Sequence, residues 1–362
     1  MIRKTNFFIL TLITLLLVSA CAPATAQTPA VQENTSPADL GGIKTYLLGK
    51  IANLKSTSVD LKSASDRYYE LAKASNFDYA ALWANNPTET AQALLDAKSA
   101  WIAASPLYEQ IEGIVAGVPS LREYDVILDA GASGEDDPDN AVPFDLTLPD
   151  GSVLSQPGNL FGVLETTLWG TNPEYAIANV EADLDANGSL EFGEAVPEAN
   201  VLKCATDLFD NYISELDTSA QAWEPTESDA FTALVVMVPT MSEYFESWKN
   251  SRFVTGNAST QMDFVVISRL SDIQDILSSL QIVYAGVKPL VVNLNADQAT
   301  QIERDLNDLK EYVADVYQQE QGGRQFTAEE ADLLGAETQN RATAIAGQIS
   351  QAAATLNIRI AE

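Results

Sequence analysis

The sequence contains no histidine. Imidazole, the commonest metal ligand and the usual general base near neutral pH, is therefore unavailable. A metal site in this chain has to be built from oxygen donors. Such a site suits ferric iron, calcium or manganese and serves zinc poorly, because zinc prefers nitrogen and sulfur. Thiols are nearly as scarce, with only Cys21 and Cys204 in 362 residues. If Cys21 is modified, no disulfide can form within the chain. Cys204 falls among apolar residues at helical spacing in NVLKCATDLFDNY, which reads as a buried, inert thiol.

Positive charge is the third shortage. The chain has 20 basic and 51 acidic residues, and two of the basic ones, Arg3 and Lys4, lie in the leader, leaving 18 against 51, net −33. Such a surface repels nucleic acid and anionic lipid and attracts cations. A phosphate-backbone binder is excluded. Solubility, or adaptation to a saline exterior, accounts for the charge equally well.

The N-terminus reads as an export signal. Arg3 and Lys4 precede the apolar run Phe7 to Val18, which is too short for a comfortable membrane span. Val18-Ser19-Ala20-Cys21 resembles a lipobox, making residues 1–20 a lipoprotein signal peptide and Cys21 the lipidation site. The plainer alternative is an ordinary secretory peptide with an incidental cysteine. Residues 21–39, rich in Ala, Pro, Thr and Gln, read as a flexible tether. No later stretch is expected to span a membrane.

From Leu40 the apolar spacing is helical, with Leu47, Ile51, Leu54, Leu61 and Tyr68 at steps of three, four and seven. A second helix is expected after Asn86 as cap and Pro87 at the first helical position. Residues 131–159 read as a loop holding a small hairpin, in which Pro149-Asp150-Gly151 turns. Further helices are expected near 194–216, 226–250, 259–292, 296–318 and 327–360. Pro239 and Pro289 should kink or interrupt theirs, Asn295 and Asp297 are candidate caps for the helix from 296, and Thr327 with Glu330 has capping-box spacing. The fold class is all-α: tandem antiparallel four-helix bundles, residues 40–220 and 221–362, with a β-hairpin insertion and an EF-hand-type calcium loop.

That loop is DLDANGSLEFGE, residues 183–194. Calcium takes six to eight oxygens, and a twelve-residue loop delivers them at fixed positions. Asp183, Asp185 and Asn187 occupy positions one, three and five, and Gly188 takes the sharp turn at six. Ser189 offers its carbonyl, Glu191 acts directly or through water, and Glu194 is the bidentate carboxylate at twelve. Leu190 should pack inward. A solvated acidic turn is the plain alternative. Unpaired and extracellular, the loop should bind with a dissociation constant on the order of 10⁻⁴ M and act as a structural clamp between helices.

Just upstream, GNLFGVLETTLWGTNPEY (158–175) resembles the signature segment of the imelysin-like superfamily, which includes imelysin peptidase-like proteins and the EfeO-type periplasmic component of iron-uptake systems. The family pattern is Gly-x-His-x-x-Glu. Aligned on Glu165 and Trp169-Gly170, this chain has Leu160 for the glycine and Gly162 for the histidine. LYEQIEGI (107–114), residues 268–291 and residues 326–356 also resemble segments of those iron-uptake proteins. The chain is most similar to histidine-poor algal iron-assimilation proteins and related bacterial lipoproteins. The resemblance implies two four-helix bundles with a metal site near the signature.

Matching segments carry over Glu109, Glu112 and Glu165 as metal ligands, and PSLREYDVILDAG adds Glu123, Asp125 and Asp129 nearby. Glu165 stands out, because a carboxylate inside an apolar run needs a partner. Gly162 either leaves room for a larger ligand or lets helices pack closely. Three functions follow. The first is a lipid-anchored surface or periplasmic protein capturing ferrous or ferric iron for a permease, with structural calcium. The second is a calcium-stabilised scaffold that docks a surface partner and whose metal site has decayed. The third is an imelysin-type hydrolase, opposed by the missing histidine and by the lack of any identifiable nucleophile.

Overall fold

The periodic apolar runs fold as helices. In the computed structural model, which describes residues 37–361, α1 (Leu40–Ala74) buries Ile43, Leu47, Ile51, Leu54, Leu61 and Tyr68 along one stripe. Asp39 caps it, accepting from Gly42 N–H at 2.9 Å. The short α2 (Tyr79–Asn85) leads to α3 (Pro87–Val115). Pro87 opens α3 as expected, but the Asn86 side chain makes no capping hydrogen bond. Then come α4 (Arg122–Asp125) and a π-helical turn over Val126–Ala130. The hairpin pairs β1 (Asp145–Thr147) with β2 (Val153–Ser155), Asp145 opposite Ser155.

The rest is α5 (Leu160–Trp169), α6 (Ala199–Ala222), α7 (Glu227–Met237), α8 (Met241–Asn250), α9 (Arg252–Thr255), α10 (Arg269–Leu294), α11 (Ala296–Gln321) and α12 (Ala328–Thr355). The caps at Asn295 and Thr327 form as expected, the second as a full capping box with Glu330. The leader, Cys21 and most of the 21–39 tether lie outside the described residues.

Several expectations need correction. The helix expected from 194 starts at Ala199, beyond Pro197, and is capped by Glu198. That expected from 259 starts ten residues later, the intervening chain being irregular. Pro239 does interrupt its helix, in a 3-10 turn over Val238–Thr240. Pro289 does not. α10 runs through it, because packing on α3 and α11 outweighs a proline's cost of about 3 kcal/mol. α10 also has the length and apolar content of a membrane span, contrary to expectation. Its Ile273, Leu277, Leu280 and Val287 are buried in the core, which accounts for that composition.

Two groups of helices result. α1 packs on α3 and α6, with α5 against α3 and α6, while α10 packs on α11, and α12 on α7, α8 and α11. The seam between them is α3 on α10, and the described residues form one compact unit. Gly113 makes the close approach possible, since a Cβ there would lie 2.9 Å from Leu280 Cγ. Gly113→Ala should therefore destabilise the protein by about 1–3 kcal/mol in urea unfolding. Gly49→Ala, on an exposed face of α1 with nothing within 4 Å, should instead stabilise it by about 0.5–1 kcal/mol.

Candidate metal centre

Residues three apart share a helix face, so α3 presents Glu109 and Glu112 together, at its seam with α10. α4 and the π turn bring Asp125 and Asp129 to the same place, and the first turn of α10 brings Arg269 and Asp272. All six side chains are buried. Carboxylate oxygens of Glu109, Glu112 and Asp129 all lie within 4.8 Å of one another.

Some oxygens have protein partners. Tyr108 donates to Asp125 at 2.8 Å, and Tyr244, from α8, donates to Glu112 Oε1. Arg269 pairs with Asp272 at 3.1 Å and Asp129 at 3.4 Å, and its guanidinium lies 3.4 Å from the Phe264 ring centre and 4.8 Å from that of Tyr244. Its contact to Glu109, at 3.7 Å, is too long for a hydrogen bond. Both Glu109 oxygens, Glu112 Oε2 and Asp129 Oδ1 are buried without a hydrogen-bond partner.

This arrangement cannot stay fully ionised on its own. Two carboxylates this close repel by roughly 3 kcal/mol at an effective dielectric near 20. Three such pairs approach a domain's entire net stability of about 5–15 kcal/mol. Burial, and then the neighbouring carboxylates, push Glu109 and Asp125 well above the usual carboxylate range. Burial likewise raises Asp129 and Asp272, with Arg269 pulling the other way. The cluster must take up protons or a cation.

Glu165, the sequence's leading candidate, is placed differently. Its Oε1 accepts from the backbone N–H groups of Val265 and Val266 at 2.6 and 3.1 Å, and Trp101 donates to Oε2 at 3.4 Å. The partner its apolar setting demanded is a stretch of backbone, and no Glu165 oxygen is left over. Burial pushes its carboxyl up to about 8. Glu123 is exposed on the outer face of α4, away from the cluster. Arg269, Asp272 and Tyr244 were missed. The three-residue spacing of Arg269 and Asp272, which puts opposite charges on one helix face, was the one available signal.

The second acidic group is the 183–194 loop. Carboxylate oxygens of Asp183, Asp185 and Glu194 also lie within 4.8 Å of one another. Glu194 closes the loop, accepting from Leu184 and Glu191 N–H at 2.7 Å each. Asp183 accepts from Gly188 N–H at 2.7 Å, and Gly188 turns at φ +88°. The flanking helices of an EF hand are absent, for irregular chain lies on both sides until α6. With no partner helix to pack on, Leu190 is 54% exposed rather than inward. Lys98 of α3 anchors the loop instead, donating to Gly193 O and lying 5.5 Å from the Trp169 ring centre, with burial pulling its ammonium down to about 8. Cys204 is only half-buried, 3.3 Å from Thr147 O beneath the hairpin, so the expected burial is incomplete.

Helical bundles that hold cations do so with inward-facing side chains on neighbouring helices, and buried, unpartnered carboxylates at a helix seam are the kind of donors such sites use. The Imelysin family model matches residues 45–355, and the chain belongs to that family. Imelysin-family proteins are generally exported to the periplasm or cell surface, and membership supports an iron-uptake-related role at the family level. No curated protein matches the chain.

The buried carboxyls set a pH dependence. Groups raised in the folded state contribute stability that is complete below their unfolded pKa and is lost as pH rises through the folded one. For Glu165 that window runs from 4.5 to about 8, and the cluster acts in the same direction. Chelator-treated protein should lose thermal stability steadily across this range in calorimetry, and Glu109→Gln should flatten the loss.

Proposed function

We propose that this protein captures a hard cation, iron foremost, at Glu109, Glu112 and Asp129 and hands it to an uptake permease. Cys21 serves as its lipid anchor at the cell membrane or outer membrane, facing periplasm or exterior. The observation carrying this reading is the set of four buried carboxylate oxygens without partners, on three side chains that converge. An oxygen-only donor set suits ferric or ferrous iron and manganese over zinc. Family membership and the acidic surface support it. Equilibrium dialysis should find one tightly held iron per chain, lost in a Glu109→Gln/Glu112→Gln/Asp129→Asn variant and little affected by Glu123→Gln. Equal iron binding by the triple variant and the wild type would remove the cluster from this account.

Calcium in the 183–194 loop is the structural part of the proposal. The ion would join Asp183, Asp185, Asn187 and Glu194 with the Ser189 carbonyl and Glu191, pinning the long connection between α5 and α6. Calcium should raise the melting temperature of the wild type, and Glu194→Gln should abolish that rise in calorimetry.

One observation favours the scaffold reading. Arg269 already supplies a permanent positive charge inside the cluster, as expected where a side chain has replaced a lost ion. In that reading the dialysis finds no iron and calcium alone holds the fold.

A further inference from the structure

The buried carboxylates are sealed by helices, so a cation needs a way in. A cleft of about 880 Å³ opens between the hairpin segment, the first turns of α5 and residues 260–263. Its charged lining is Glu135, Asp136, Glu174 and Asp263, and none of the described residues lining it is lysine or arginine. Three of these carboxylates stand at the exposed rim. Asp263 stands at the floor.

Asp263 is the carboxylate of the cleft that lies within electrostatic range of the cluster. It lies close enough to interact electrostatically with Asp129, Glu165 and Arg269. Gln261 donates to its Oδ1, while its Oδ2 faces Gly162, where an added Cβ would come to 3.2 Å. Residue 162 and Asp263 both line the cleft, and the lack of a side chain at 162 leaves that oxygen uncrowded. The next residues, Val265 and Val266, are held by Glu165, so the floor has a fixed position.

Resting on the cluster's proposed role as a cation site, we propose that this cleft is its vestibule. It admits hydrated free cations and turns away anionic chelates, and Asp263 is the first carboxylate to displace a water of hydration. The volume accommodates an ion with its first water shell. A rim carrying three negative charges and no positive one attracts cations and repels carboxylate complexes such as citrate's. Asp263 then replaces one bound water, which leaves into the cleft, and the partly dehydrated ion moves on to the unpartnered oxygens of Asp129 and Glu109.

The test is rapid-mixing EPR with Mn²⁺ on the full chain, excess calcium being present in every arm. Glu135→Gln/Asp136→Asn/Glu174→Gln alters only exposed residues and should fold. It should slow association roughly tenfold at low salt and weaken its salt dependence, with equilibrium affinity moving far less. Asp263→Asn, which keeps the acceptor for Gln261, should slow association at every salt concentration. Manganese presented as its citrate complex should not associate. Wild-type rates in both variants, or ready uptake of the citrate complex, would overturn the vestibule while leaving the cluster's role standing, provided the Glu109→Gln/Glu112→Gln/Asp129→Asn variant loses binding. Full binding by that cluster variant, or none by the wild type, would sink the cation site itself and the vestibule with it.

Discussion

The organising constraint is a shortage of positive charge in the core. Glu109, Glu112, Asp125, Asp129 and Asp272 are all buried around the seam of α3 and α10, and one guanidinium, Arg269, faces them. Burying a carboxylate costs several kcal/mol even after relaxation, so this arrangement persists only with protons or a cation to balance it. Proton uptake and metal uptake are then competing solutions to one electrostatic problem. Exposed carboxylates would impose no such condition.

The surrounding structure serves to hold that cluster still. Gly113 lets α3 and α10 meet closely, the π turn carries Asp129 inward, and the rings of Phe264 and Tyr244 pack on the Arg269 guanidinium. Glu165 contributes from outside. By binding the backbone at Val265 and Val266, it fixes the segment that leads from the cleft into α10. The chain between α5 and α6 touches neighbouring residues: the Arg252 guanidinium of α9 lies 3.5 Å from the ring centre of Phe192 in the 183–194 loop, and Thr171, just after α5, donates to Met262 O at 2.6 Å. Both acidic centres thus have neighbours on the irregular chain around residues 252–268.

Much of the architecture was legible before any coordinates. Apolar residues at three- and four-residue steps specify α1 and α3, and the caps at Asn295 and Thr327 act through atoms at most three residues away. The hairpin at 145–155 follows from its turn residues. The failures share a physical cause. Pro289 was expected to kink or interrupt α10, which runs on through it, and Leu190 was expected to pack inward. Local rules describe both residues correctly, but α10 is held by α3 and α11, while Leu190 has no neighbouring helix to cover it.

The same division holds for the candidate site. The chain by itself determined the donor chemistry: without histidine, and with one half-buried thiol among the described residues, the available ligands are oxygens. It also determined the pairing of Glu109 with Glu112, since three-residue spacing is a property of one helix. Tertiary structure alone decided that Asp129 joins them, that Glu123 faces away and that Glu165 is taken up by the backbone at 265–266 and by Trp101. It also decided that Arg269 supplies the one positive charge. Those relations span up to 160 residues of sequence, and no local periodicity encodes which distant side chains will share a dielectric.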